Sequence, residues 1–394
     1  MTTSSASRTL YDTEVDGPLS PHHAPKGQCV RTHALVIGVG NYDHLAGGSG
    51  HRNDDFSELQ QVTSAPASAR SFARWLLDNF RNGNAPLGSI ELLLSPAGEF
   101  ELARGISRQS RSATMAEIKS AFERWYQRCD SNANNIAVLY FCGHGLMRSS
   151  LALLAQDFGA STINPFDTAV DLNGTHDGMA RCKAQFQFYF VDSCQQEPWV
   201  MRKQMDDEAR VLIPSRFGDQ NRQDAPIFMA TLPTKPAYGI AGGVTIFTQA
   251  LLESFERGAT KSKGRWIVTT SVLNAALIQE MDTISRRTGR IQKSCCKGMM
   301  GQSVFHELSA PPDVKVFLSC DPEAATGHAT LEWCKSAAPT TPVLTRIPHP
   351  KPWELKATVG QYVVHAKFAD QVFKNGQLDV WVVTPGPIEE EIPV

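Results

Sequence analysis

The stretch NNIAVLYFCGHGLM, residues 134–147, constrains the fold more than any other part of the chain. Its first half is an unbroken apolar run, the pattern of a strand buried on both faces of a parallel sheet. It stops at a histidine held between Gly143 and Gly145. Such a strand needs parallel neighbours, and those require crossover connections, usually helices. The chain supplies both. HALVIGV (33–39), IELLL (90–94), LALLA (151–155), FQFYFVD (186–192) and PIFMAT (226–231) are further short apolar runs. Between them, APASARSFARWLLDNF (65–80) places Phe72, Leu76 and Phe80 on one helical face, with Pro66 suited to a first turn. In TMAEIKSAFERWYQRC (114–129), Thr114 and Glu117 have capping-box spacing and Met115, Ile118, Phe122 and Trp125 face inward. IFTQALLESFER (246–257) and TSVLNAALIQEM (270–281) read as further helices. The expected fold is α/β, a mostly parallel sheet sandwiched by helices.

After SAPPD (309–313) the texture changes to short alternating runs: VKVFLSC, ATLEWC, WELKATV, YVVHAKF and LDVWVV. They predict a small all-β, sandwich-like domain over residues 310–394. Residues 1–30, rich in Ser, Pro and His, read as a flexible arm, which leaves 31–309 as the main domain. Within it, the polar stretch 195–225 is expected to be a mobile surface loop. A chain of 394 residues with 42% hydrophobic content can bury a large core, and its net charge of −2 offers no electrostatic case for a nucleic-acid or membrane partner. The N-terminus lacks the apolar core of a signal peptide, and no apolar run approaches the roughly 18 residues needed to span a bilayer. A cytoplasmic location is expected. Nine cysteines without a CxxC pair suit reduced thiols, with no metal or other cofactor expected.

Ligands in open α/β sheets sit beyond the carboxyl ends of the strands. Two such ends carry reactive side chains: His144 after NIAVLYFCG, and Cys194 after FQFYFVDS, 50 positions downstream. A thiol just outside a buried strand, polarised by an imidazole, is the arrangement nucleophilic thiol catalysis requires. Glycines beside the histidine let a substrate approach the backbone closely. Other combinations are weaker. His176 and Asp177 read as a loop or helix cap, Cys295 and Cys296 lack metal-ligand spacing, and GVGNYDHLAGGSG lacks the third glycine of a dinucleotide fingerprint.

Taken together, ALVIGVGNYDHL, YFCGHG, LLAQD, FYFVDSC and IFMATLPTKPAYG, followed by GGVTIFTQALLESFERG, resemble the caspase-like cysteine peptidases, caspases and metacaspases, over residues 31–308. The resemblance implies Cys194 as nucleophile, His144 as acid/base, and the amides of Gly145 and Cys194 as an oxyanion hole. It also implies Asp192 in the first specificity pocket, where the acidic DSC form found in metacaspases reads arginine or lysine; Asp157 matches a second acidic, substrate-binding position, and reads at least as well as a strand-ending aspartate that caps a turn. Gln195 and Gln196 depart from the small residue and glycine usual after the cysteine. Protein substrates cut after basic residues, and a zymogen opened in the 195–225 loop at Arg202, Lys203, Arg210, Arg216 or Arg222, are further expectations. So are a prokaryotic stress or antiviral signalling role, and an activator or regulator reached through the C-terminal domain. Some metacaspases require calcium; here Asp206–Glu208 reads as a solvated charge run. The alternative of a different class is a catalytically silent docking module on the same fold.

Overall fold

The computed structural model of the chain describes residues 10–12, 29–147, 149–195, 208–216, 218, 221–233, 235, 237–239, 242–370 and 372–394. By packing they form two compact units, Met1–Leu252 with Ile284–Phe305, and Glu253–Thr283 with His306–Val394. The elements run β1 (Tyr11–Asp12), β2 (Thr32–Val39), α1 (Ser64–Asp78), β3 (Leu87–Ser95), a hairpin of β4 (Glu99–Ala103) and β5 (Ile106–Gln109), β6 (Arg111–Ser112) and α2 (Met115–Cys129). Next come β7 (Ile136–Gly143), β8 (Gly145–Met147), β9 (Leu151–Leu154), β10 (Ala169–Asp171), α3 (Leu172–Gly178), β11 (Phe186–Ser193) and β12 (Ile227–Met229). α4 (Ile246–Arg257), β13 (Thr260–Ser262), β14 (Arg265–Thr269), α5 (Thr270–Thr288), β15 (Cys295–Lys297) and β16 (Val304–Leu308) complete the run before the C-terminal strands.

The first unit is built on a sheet of order β1-β3-β2-β7-β11-β12-β15, with β6 beside β3. β3, β2, β7, β11 and β12 are parallel, as the apolar runs require, and only the edge strands β1 and β15 are antiparallel. Tyr11 and Asp12, inside the stretch read as an arm, form β1 by pairing with Ile90 and Ser89.

Strand alternation sends successive residues of β2 to opposite faces. Leu35, Ile37 and Val39 share one core with Met115, Ile118, Phe122 and Trp125 of α2. On the other face Gly38 lets α1 come close, since a Cβ there would lie 2.6 Å from Ala69 Cβ. Phe72 of α1 stacks on Tyr140 of β7 with ring centroids 4.4 Å apart. Each such fully buried side chain contributes about 1.5–3 kcal/mol, so both helix layers are held by packing rather than by propensity.

Part of the 195–225 loop is anchored. Arg210 forms a bridge with Val170; its N–H donates to Ala169 (2.8 Å) and its carbonyl accepts from Asp171 (2.9 Å). Leu212 N–H then donates to Thr175 Oγ1 (3.0 Å), and Gly178 makes room for Ile213, whose carbonyl oxygen would lie 1.7 Å from a Cβ there.

In the second unit, β17 (Asp313–Asp321), β18 (Thr330–Lys335), β19 (Pro342–Arg346), β20 (Trp353–Thr358), β21 (Gly360–Lys367), β22 (Gly376–Val382) and β23 (Ile388–Pro393) form two sheets, β20-β17-β23 and β19-β18-β21-β22. Val314, Val316 and Leu318 from one sheet and Trp333, Val364 and Val380 from the other make a single core. All pairings are antiparallel except β17 with β23. No helix among the described residues is long and apolar enough to cross a membrane.

Candidate active site

β7 and β11 are adjacent parallel strands, paired in register from Ile136 with Phe186 to Gly143 with Ser193. His144 and Cys194 are therefore each the next residue beyond a matched pair. Neighbouring strands lie about 4.8 Å apart, so the register alone brings these two residues side by side at the carboxyl edge of the sheet. Both are half-buried.

The glycines around His144 are sterically required. A Cβ at Gly143 would lie 2.8 Å from Tyr42 Oη, and one at Gly145 would lie 2.6 Å from both the Cys194 carbonyl and Ser193 Oγ. The backbone of Gly145 thus lies against Ser193 and Cys194.

His144 is fixed from two sides. Its backbone N–H donates to Tyr42 Oη (2.7 Å), and the Tyr42 ring lies 4.9 Å from the imidazole at 38°. Nε2 is 2.6 Å from the carbonyl of Gln60. A carbonyl can only accept, so Nε2 carries the proton and Nδ1 is left as the basic atom. Gln61 steadies the assembly: its Oε1 accepts from Tyr42 N–H (2.6 Å) and its Nε2 donates to the Tyr42 carbonyl (3.1 Å). Burial lowers the imidazole pKa, with the Gln60 carbonyl opposing.

Cys194 rests against Ala237. The Ala237 N–H donates to Sγ (3.1 Å), and the thiol reaches the Ala237 carbonyl at 3.8 Å. Burial raises the thiol pKa, the Ala237 amide opposes, and the Asp192 charge adds to the rise. Thiol and imidazole are thus both held toward their neutral forms. Gln195, one of the departures noted after the cysteine, is fully buried; its N–H donates to the Lys235 carbonyl (3.4 Å) and its side-chain amide to the Thr231 carbonyl.

Asp192 is 3% exposed. Its Oδ2 accepts from Thr245 and from Thr248 (2.6 Å) at the start of α4, where the helix dipole favours an anion. Burial raises its pKa against the pull of the threonine hydroxyls. The Cys142 thiol and the Tyr140 hydroxyl are the other hydrogen-bonding neighbours of the carboxyl. Asp157, read as a second acidic substrate position, caps a helix: its Oδ1 accepts from Met115 N–H (2.9 Å), the first residue of α2. His176 donates Nε2–H to the Ala225 carbonyl (3.0 Å) and belongs to the core.

Of the basic residues in the 195–225 loop, Arg210 is paired with Asp167, and Arg222 donates to the His176 carbonyl (2.7 Å). Arg216 is exposed. Arg202, Lys203, Asp206 and Asp207 lie outside the described residues. Among the described residues no three His, Cys, Asp or Glu side chains converge as a metal site would require.

Tyr42 and Gln60 escape the sequence reading for different reasons. Tyr42 lies just past the end of β2, the same rule that picked out His144 and Cys194, so a signal was available. Gln60 acts through its backbone carbonyl, which no residue type announces.

A family model described as the caspase domain, peptidase C14, matches residues 31–305. Over 194 residues the chain is 31% identical to the uncharacterized protein y4kE of Sinorhizobium fredii, covering 49% of this chain and 56% of that protein. Over 171 residues it is 26% identical to a probable protease of a Desulfuromonadales bacterium, covering 42% of this chain and 18% of that one. The match thus spans less than two thirds of either curated relative. Caspase-1 from Spodoptera frugiperda superposes with a TM-score of 0.43 at 14% identity over 71% of this chain and 92% of that chain. Protein GSU0716 from Geobacter sulfurreducens gives 0.43 at 13% identity over 71% and 100%. With the family model spanning well over half of its length, the chain belongs to the caspase-domain family, peptidase C14.

Proposed function

We propose that the chain is a cysteine endopeptidase that cuts proteins after arginine or lysine. The observation that carries this reading is the in-register pairing of β7 with β11, which sets His144 beside Cys194. In the proposed reaction Sγ attacks the scissile carbonyl as its proton passes to Nδ1 of His144. The amides of Gly145 and Cys194 receive the developing oxyanion, and the protonated imidazole returns the proton to the leaving amine. Water, activated by the same imidazole, then hydrolyses the thioester and restores the thiol.

Specificity for basic residues is supported by Asp192. Its carboxyl is buried two residues before Cys194, on the same face of the strand, and is held there by the Thr245 and Thr248 hydroxyls. A guanidinium or ammonium would pair with that carboxylate, whereas an acidic side chain would bury like charge against it. Cleavage within the 195–225 loop, by a second copy or an upstream protease, is the proposed activation step. A peptide-library cleavage profile, run beside Cys194→Ala, tests the reading. Loss of all cleavage in the variant and a dominant basic residue before the cut are the expected results. Dominant cleavage after aspartate would overturn the specificity, and an inert wild-type chain would return the fold to a docking role.

A further inference from the structure

Cys194 touches a loop that is held from behind by a buried glutamine. Gln292 is 3% exposed, and both ends of its amide are used: Oε1 accepts from Tyr238 N–H (2.8 Å) and Nε2 donates to the Ala230 carbonyl (3.0 Å) at the end of β12. Its own backbone is clamped, since Ser285 Oγ donates to the Gln292 carbonyl and accepts from the Gln292 N–H, each at 3.1 Å. Tyr238 N–H and the Ala237 carbonyl belong to one planar trans peptide and point in opposite directions. By gripping the N–H, Gln292 turns the carbonyl of Ala237 back toward Cys194, where it lies 3.8 Å from Sγ, and anchors the C-terminal side of Ala237, whose own N–H, in the preceding peptide, lies closer to the sulfur at 3.1 Å.

We infer that Gln292 is a positioning residue for Cys194, anchoring Ala237 through the N–H of Tyr238 so that the Ala237 N–H, the nearer of that residue's two contacts, stays on the sulfur. This rests on the reading of Cys194 as the reactive thiol. A donated N–H favours thiolate over thiol, so its loss lowers the reactive fraction at a given pH. The other titratable groups near the sulfur are His144 on the neighbouring strand end, Asp192 and Tyr42, and no variant below alters them.

The test is alkylation of the full chain by iodoacetamide from pH 5 to 10, read site by site by peptide mass spectrometry. Gln292→Met keeps the volume and removes both hydrogen bonds. The Cys194 profile should move to higher pH, with the rate at pH 7 falling about 3- to 10-fold, since thiolate fraction changes tenfold per pH unit below the pKa. Exposed Cys29 should react as in wild type and serves as an internal control. Ser285→Ala, which loosens Gln292 without emptying a large core position, should shift the profile the same way by less; it decides the matter if Gln292→Met does not fold. An unchanged Cys194 profile in a folded variant, or faster alkylation at every pH, would overturn the inference. Alkylation needs no turnover, so failure of wild type to cut any peptide would refute the peptidase reading and leave this result standing.

Discussion

His144 donates Nε2–H to the carbonyl of Gln60, 2.6 Å away, and that bond leaves Nδ1 as the only basic atom of the ring. The imidazole is oriented by a backbone group contributed far upstream in the chain. His144→Ala should therefore lower kcat by about 10²–10⁴-fold with a smaller change in KM, because acid/base assistance acts mainly in the transition state. Burial lowers the imidazole pKa, so the ring stays neutral to lower pH than usual. The acid limb of kcat/KM should fall below the ordinary histidine value of about 6.5. A limb above that value would contradict the assignment of His144 as the base.

Asp192 predicts a split between stability and specificity. Asp192→Ala strands the hydroxyls of Thr245 and Thr248 and should cost about 1–3 kcal/mol in urea denaturation. Asp192→Asn keeps an acceptor for both threonines and should fold nearly normally while losing most of its preference for arginine over neutral residues. Burial raises the carboxyl pKa, and only the ionised form attracts a cation. KM for arginine peptides should thus rise as pH falls through a value above the usual carboxylate range, while KM for neutral peptides should not.

Anchoring narrows the activation site. Arg210 is held by backbone bonds to β10 and by Asp167, and the Arg222 side chain is 16% exposed beside His176 and Asp177. Arg216 is exposed. Ordered, paired backbone resists proteolysis, so among these three the cut should fall after Arg216. Intact-mass analysis of the aged protein would show it. A fragment ending at Arg210 or Arg222 would refute the protection argument.

The second unit carries a buried charge cluster. Glu253 pairs with Arg257 (2.6 Å) and with Lys315, and Glu280, 1% exposed, lies 3.8 Å from both cations. Burial pushes the Glu280 carboxyl from 4.5 up to about 7, with Lys315 opposing and Glu253 adding to the rise. Between those values the folded state binds a proton that the unfolded chain releases, so stability should fall as pH rises through the window. Glu280→Gln should flatten that loss when urea midpoints at pH 5 and pH 8 are compared.

The sequence by itself determined the layers and the two strand ends that meet. Apolar period and strand ends record which faces a segment buries, and that information is local. Hence β2, β7 and β11, the inward faces of α1 and α2, and the two strand-end residues His144 and Cys194 could all be read directly. Strands β19 and β23 escaped because Pro342 and the run Glu389–Glu391 hide the alternation of an edge. Only the tertiary structure decided how the pair is supported. The Gln60 carbonyl, the Tyr42 hydroxyl, the threonines on Asp192 and the Gln292 amide come from elements distant in sequence, and the first acts through a backbone atom that every residue carries. Asp157 makes the same point: its carboxylate accepts from the amide left free at the start of α2, a bond set by where the end of one segment meets another. Hydrogen bonds of this kind depend on where chain segments cross, and periodicity does not encode a crossing.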